Sequence, residues 1–233
     1  MRNSNIVKKI IILVLILALP GFLYYLLTVK GKNRYEPLLI FGPKQVASTS
    51  HLVNGKNVPD TLFHTLPDFT LTDQQGKPVS LKTFDNKIFI ANFFYTHCPN
   101  ICNEVNHNIS TIEADYAKNK MVAFVSITVD PQRDSVPALK QYAAQYKVPA
   151  EKWLFLTGDT AAIYPLARKG FLVNALDAGS GDFIYSDKII LIDKHKRIRG
   201  YYSGTVPDDV QRLDDEIKVL VSEELRNEDK ALY

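Results

Sequence analysis

Residues 87–130 decide the fold: KIFIANFFYTHCPNICNEVNHNISTIEADYAKNKMVAFVSITVD. Two nearly continuous apolar runs, 87–94 and 121–129, are typical of central strands that are covered on both faces. Between them, apolar side chains recur every three or four residues and predict a helix from about 99 to 117. A strand, a helix and a second strand predict a right-handed βαβ unit with parallel strands.

The sequence on either side of this unit adds two β-hairpins. Residues 69–81 alternate in polarity around turn residues at 74–77, and residues 188–203 form two apolar runs around Lys194-His195-Lys196. The other predicted elements are a strand at 153–156 and helices at 136–146, 160–169 and 208–224. This order predicts an α/β fold in which helices flank a central mixed sheet.

Composition and charge narrow the functional classes. The chain has 233 residues, of which 46% are apolar and 23% are charged, which suits one domain with an extension. Beyond Lys9, the remaining 25 basic residues balance the 25 acidic ones, so the sequence lacks the basic footprint of a nucleic-acid-binding protein. Two cysteines in total exclude a disulfide scaffold and a four-cysteine zinc site.

The N-terminal residues predict a membrane anchor. Residues 10–29 form an uncharged run of 20 residues, long enough to span a bilayer as a helix. A cleaved signal peptide is the alternative, but no small-x-small cleavage site follows the run, which favours an uncleaved anchor. Basic residues lie on both sides of the run, so the charge count leaves its orientation open.

The predicted organisation therefore has four parts. Residues 1–30 form the anchor, and residues 31–65 form a tether with a short strand at 38–41. Residues 66–225 form the folded domain, and residues 226–233 form a solvated tail.

The chemistry of this chain is expected at Cys98 and Cys102, where the first central strand turns into its helix. Free N–H groups and the helix dipole at this position favour a thiolate. Two thiols one turn apart can close a disulfide or hold a soft ion between their sulfurs. The three residues between them, rather than two, favour a shared metal such as Cu(I) while still permitting oxidation. The competing interpretation is that both cysteines are inert packing residues.

The residues from about 66 to 224 resemble the SCO/SenC family. The resemblance rests on FFYTHCPNIC, SITVDPQRDSVPALKQYA, WLFLTGD and IILIDKHKRIRGYYSGT. It implies a membrane-tethered, thioredoxin-like protein that delivers copper to, or reduces the cysteines of, the binuclear copper site of cytochrome c oxidase. It also implies a single-pass protein of the inner membrane whose domain lies on the exported, periplasmic side.

One departure from the family concerns the third copper ligand. The family has a histidine eight residues before the Asp that ends the LID strand, and here Tyr185 holds that position relative to Asp193. A phenol binds Cu(I) poorly, because soft copper prefers sulfur or imidazole. His97, next to Cys98, is a weak candidate for the missing ligand. Asp130, at the end of the second central strand, is a candidate for a hydrogen bond to the cysteine loop.

The expected function is therefore binding of Cu(I) by Cys98 and Cys102 in support of copper-site assembly, with the oxidase subunit or its assembly factors as partners. Two alternatives remain open. The first is a thiol–disulfide oxidoreductase that holds no copper, which Tyr185 favours. The second is a non-catalytic redox sensor or scaffold.

Overall fold

The structure of the chain is a computed structural model. It describes residues 2–26, 37–53, 55–98, 101–173, 175–177, 183–185 and 187–231. The chain divides into two compact units, residues 1–36 and residues 37–233.

The first unit contains helix α1 (Arg2–Tyr25). The predicted span at 10–29 shares most of its length with this helix, and residues 27–29 lie outside the described residues. Among the helices that the structure describes, none is both long and apolar enough to cross a membrane.

The second unit is built on a seven-stranded mixed sheet. Its strands are β3 (Thr70–Asp73), β4 (Pro78–Ser80), β5 (Ile88–Phe94), β6 (Val122–Thr128), β7 (Trp153–Thr157), β10 (Lys188–Ile192) and β11 (Ile198–Ser203). Their order across the sheet is β11-β10-β5-β6-β7-β3-β4. Strands β5, β6 and β7 are parallel, whereas β10 and β3 run antiparallel to their neighbours β5 and β7.

Helices cover both faces of this sheet. The helices are α2 (Ile101–Tyr116), α3 (Val136–Ala143), α4 (Thr160–Pro165) and α5 (Pro207–Ala231). Asn106 of α2 bonds Asn92 of β5, and Tyr142 of α3 stacks on Phe94 of the same strand, so these two helices share one face. On the opposite face, Phe171, which follows α4, packs against Phe93.

The predicted βαβ unit is confirmed. Strands β5 and β6 pair in parallel over their full lengths, and every residue of both is buried. The two hairpins predicted at 69–81 and 188–203 are also confirmed, as antiparallel β3–β4 and β10–β11. The mixed sheet flanked by helices thus follows from apolar runs that were visible in the sequence.

A second hairpin system was not predicted. Strands β1 (Lys44–Val53) and β2 (Lys56–Phe63) form a separate two-stranded antiparallel sheet within the stretch assigned to the tether. The turn holds Gly55 at φ +77°, a conformation that glycine adopts without steric cost. The strand predicted at 38–41 is wrong: among the described residues, this segment makes a single backbone bond to the sheet, from Phe41 N–H to the Ile198 carbonyl at 2.9 Å.

A buried charge network instead holds that segment to the sheet. Arg199 of β11 is 2% exposed, and its guanidinium donates to the carbonyl oxygens of Leu38 and Leu39 at 2.6 and 3.2 Å. The same guanidinium pairs with Asp193 at 3.2 Å and with both carboxylate oxygens of Glu223 at 3.0 Å. One side chain therefore joins the start of the unit to the β10–β11 hairpin and to α5.

A further short pair of strands, β8 (Ala175–Asp177) and β9 (Phe183–Tyr185), precedes β10. The two strands pair in antiparallel register, with Ala175 opposite Tyr185. This pair places the backbone of Tyr185 at the end of β9, three residues before the start of β10, which lies next to the edge strand β11.

Candidate functional site

Cys98 and Cys102 lie at the carboxyl end of β5, where the chain turns into α2. The structure joins their sulfur atoms in a disulfide bond, with the two Cα atoms 5.8 Å apart. Both residues are buried, and the backbone N–H of Cys102 donates to Cys98 Sγ at 3.3 Å. The two sulfurs thus meet as expected, while their reactivity and metal binding stay predictions. Residues 99 and 100 lie outside the described residues.

A buried carboxylate holds the loop that leads to Cys98. Asp134 is fully buried and accepts hydrogen bonds from the backbone N–H of Thr96 at 3.0 Å and from the Thr96 hydroxyl. Its Oδ2 also accepts from the hydroxyl of Thr128, at the end of β6. These bonds tie the cysteine loop to the neighbouring parallel strand, because both strands end at the same edge of the sheet.

The hydrogen bond predicted from Asp130 to the cysteine loop is made by Asp134 instead. Asp130 pairs with Arg133, and this hydrogen bond raises the pKa of the Arg133 guanidinium. The turn after β6 brings the second aspartate back under Thr96, four residues later in the chain. The sequence does show two acidic residues in this turn, but the prediction considered only the first of them, Asp130.

His97 contacts its own loop, and its side chain is not part of a group of metal-binding residues in the part of the chain that the structure describes. Its side chain is exposed, and its Nδ1 lies 3.0 Å from the hydroxyl oxygen of Thr96. Among the described residues, no group of three or more His, Cys, Asp or Glu side chains is arranged to hold a metal ion. The third ligand therefore has no described candidate with the required geometry. The side chain of Tyr185 lies outside the described residues.

The donor atoms at the site nevertheless suit copper. Two thiolates separated by one helical turn are soft ligands, which Cu(I) prefers over oxygen donors. In the structure both sulfurs are used by the disulfide, so copper can bind only after reduction of that bond. Cys98 and Cys102 would be the residues that hold the ion.

A chain of polar side chains, buried except at its exposed last member Asn103, reaches α2 beside Cys102 and was not predicted from the sequence. Its side chains form hydrogen bonds from β7 through β6 and β5 to α2 and α3. We call it the polar chain; its members are Trp153, Ser126, Asn92, Asn106, Tyr142 and Asn103. The signal in the sequence was Asn92, a polar residue inside an otherwise apolar strand, because a buried amide requires partners.

The sequence around this site matches a known protein family. A family model described as SCO1/SenC matches residues 59–222. The SCO1 protein homolog of Bacillus subtilis is 29% identical over 153 residues, which cover 64% of this chain and 79% of that protein. The matched region contains both cysteines and all seven strands of the sheet.

Solved structures of similar proteins share the fold. BsSco, described as a member of the Sco family of cytochrome c oxidase assembly proteins with a disulfide switch, gives a TM-score of 0.61 at 25% identity. The match covers 68% of this chain and 94% of BsSco. Arabidopsis thaliana ScoI, solved with copper bound, gives a TM-score of 0.57 at 26% identity, with 69% of this chain and 98% of ScoI covered.

Proposed function

Because the chain belongs to the SCO1/SenC family, we propose that it binds Cu(I) through Cys98 and Cys102 and supports copper-site assembly in a respiratory oxidase. BsSco is described as an oxidase assembly protein and ScoI was solved with copper, which supports both parts of the proposal. The partner would be the copper-site subunit of the oxidase or one of its assembly factors.

The observation that carries the proposal is the disulfide between the only two cysteines of the chain, at the carboxyl end of a parallel strand. A thiol reductant supplies the two electrons and two protons that convert this disulfide into two thiols, and the reductant becomes a disulfide. Loss of the two protons gives two thiolates, and a Cu(I) ion can then bridge their sulfurs. Thiol–disulfide exchange with a disulfide-bearing partner, which takes up the two electrons, restores the disulfide and releases the ion.

A further part of the proposal concerns the cellular location of residues 66–225. We infer that the uncharged run at 10–29 anchors the chain in the inner membrane, with residues 66–225 on the periplasmic side. Membrane-impermeant protease added to intact spheroplasts is expected to degrade the domain. Protection until the cells are lysed would contradict the exported orientation.

Titration with Cu(I) tests the copper site. The full-length chain in detergent, fully reduced, is expected to take up one Cu(I) from a competing chromophoric chelator. Cys98→Ser and Cys102→Ser each remove one of two soft ligands and are expected to weaken binding by a factor of about 100 or more. Absence of Cu(I) uptake by the reduced parent chain would contradict the copper proposal.

Two matched histidine variants test the third ligand. If His97 contributes, His97→Ala weakens binding, whereas His195→Ala, at an exposed turn in the β10–β11 hairpin, leaves it unchanged. Equal affinities for both variants would remove His97 from the site.

Tyr185 supports a second candidate function. A dithiol without its family histidine suits thiol–disulfide exchange better than copper storage. A parent chain that binds no Cu(I) but reduces a protein disulfide at a measurable rate would be an oxidoreductase. A chain with neither activity would be a redox sensor or scaffold.

A further inference from the structure

The polar chain crosses the core with all its hydrogen bonds donated in one direction. Trp153 Nε1 donates to Ser126 Oγ at 2.9 Å, and Ser126 Oγ donates to Asn92 Oδ1 at 2.6 Å. Asn92 Nδ2 then donates to Asn106 Oδ1 at 2.8 Å. These three bonds connect β7, β6 and β5 in turn to α2.

The second half of the polar chain links α2, the helix that contains Cys102, to α3. Asn106 Nδ2 donates to the Tyr142 hydroxyl oxygen at 3.0 Å, and that hydroxyl donates to Asn103 Oδ1 at 3.4 Å. Asn103 is the residue next to Cys102. Burial raises the pKa of the Tyr142 phenol well above its ordinary range, so its hydroxyl keeps the proton that it donates.

Asn106 connects α2 to two neighbouring elements by hydrogen bonds. Its side chain is fully buried, and its oxygen and nitrogen bond different elements, β5 through Asn92 and α3 through Tyr142. Residues four apart in a helix lie on the same face, so Asn106 lies one turn after Cys102 on the same face of α2. The two bonds therefore fix the first turns of α2 relative to the sheet.

We propose that Asn106 is a positioning residue for the redox reaction of Cys98 and Cys102, and this inference rests on the proposed redox cycle of the site. Reduction breaks the S–S bond, and the two sulfurs must then move apart. A helix that is held at Asn106 resists this movement of Cys102. The dithiol is thereby disfavoured relative to the disulfide, and the reduction potential of the pair is lowered.

The test is the equilibrium of the full-length chain with dithiothreitol, read by alkylation of free thiols. The S–S bond of the protein becomes two thiols while the two thiols of dithiothreitol become its cyclic disulfide, so electrons and protons balance. Asn106→Leu is expected to shift the equilibrium constant about tenfold toward the protein dithiol, which corresponds to about 30 mV for a two-electron couple. Tyr142→Phe removes one of the two bonds and is expected to shift it in the same direction by less.

Ser126→Ala is the matched control. It breaks the same polar chain at a fully buried position, but in β6, so it weakens the fold without releasing α2. Its redox equilibrium is expected to stay within about twofold of the parent. Shifts of equal size in Ser126→Ala and Asn106→Leu, or no shift in Asn106→Leu and Tyr142→Phe, would overturn the positioning role.

Different results would contradict the positioning role of Asn106 and the redox cycle of the two cysteines. If Asn106→Leu does not fold, Tyr142→Phe alone decides, because it keeps the ring and removes only the hydroxyl. A parent chain whose disulfide is reduced normally, with all variants unchanged, contradicts the role of Asn106 and leaves the proposed function standing. A parent chain whose disulfide cannot be reduced at all contradicts both.

Discussion

Tyr185→His is expected to tighten Cu(I) binding by about 100-fold, because it adds an imidazole nitrogen to a site that otherwise offers two sulfurs. The family resemblance places a histidine at this position, and Tyr185 is the last residue of β9. A phenol oxygen is a hard ligand that Cu(I) does not favour. The measurement is competition with a chromophoric Cu(I) chelator on the reduced full-length chain.

Two further variants make this result specific. Tyr185→Phe removes the hydroxyl without adding a ligand and is expected to bind Cu(I) as the parent does. Tyr185→His combined with Cys98→Ser is expected to lose most of the gain, because the imidazole acts together with both sulfurs. Unchanged affinity in Tyr185→His would show that residue 185 does not face the cysteines, and the copper site would then have another third ligand or none.

Arg199→Ala is expected to lower the free energy of unfolding by about 3 kcal/mol, since removal of one partner leaves buried charge uncompensated. The variant removes the guanidinium nitrogen that donates to both carboxylate oxygens of Glu223. It also leaves the carbonyl oxygens of Leu38 and Leu39 without their donor. Asp193 keeps one cation, Arg197, at 2.8 Å, which limits the loss. Urea unfolding followed by circular dichroism measures the change.

Lys218→Ala provides the comparison on the surface. Lys218 pairs with Asp214 at 2.6 Å, but more than half of its side chain is exposed. Exposed ion pairs contribute little, so this variant is expected to change the free energy of unfolding by less than about 1 kcal/mol. A loss in Arg199→Ala no larger than that in Lys218→Ala would mean that the buried network adds nothing to stability.

The central sheet could be predicted because its strands carry a strong pattern. The apolar runs at 87–94 and 121–129 became β5 and β6, both fully buried. The β1–β2 hairpin could not be predicted in the same way, because its strands are rich in Ser, Thr and Lys and nearly all of their residues are exposed. Its one local signal, Asn54-Gly55, is a preferred hairpin turn that was assigned to a flexible tether. Strands β8 and β9, with three residues each, are too short to show a period.

At the site, the two cysteines could be predicted from the sequence, but the hydrogen-bond partners around them could not. The cysteines were found from their position after an apolar strand and from their spacing. Asp134 was missed, because only the folded turn shows which of two aspartates lies under Thr96. Asn106 was missed for a related reason: a helical asparagine is usually a surface residue, and its burial depends on the partners Asn92 and Tyr142.

The β1–β2 hairpin also bears on the solubility of the protein. It forms no ladder with the seven-stranded sheet, so its outer backbone groups are a template on which another chain could add a strand. Pro59 lacks the N–H that such an addition would need, and an irregularity between Val46 and Ser50 disturbs the opposite edge. Lysines at the start of each strand, Lys44 and Lys56, add charge repulsion between copies. Each of these features disfavours the addition of a further strand to the exposed ribbon.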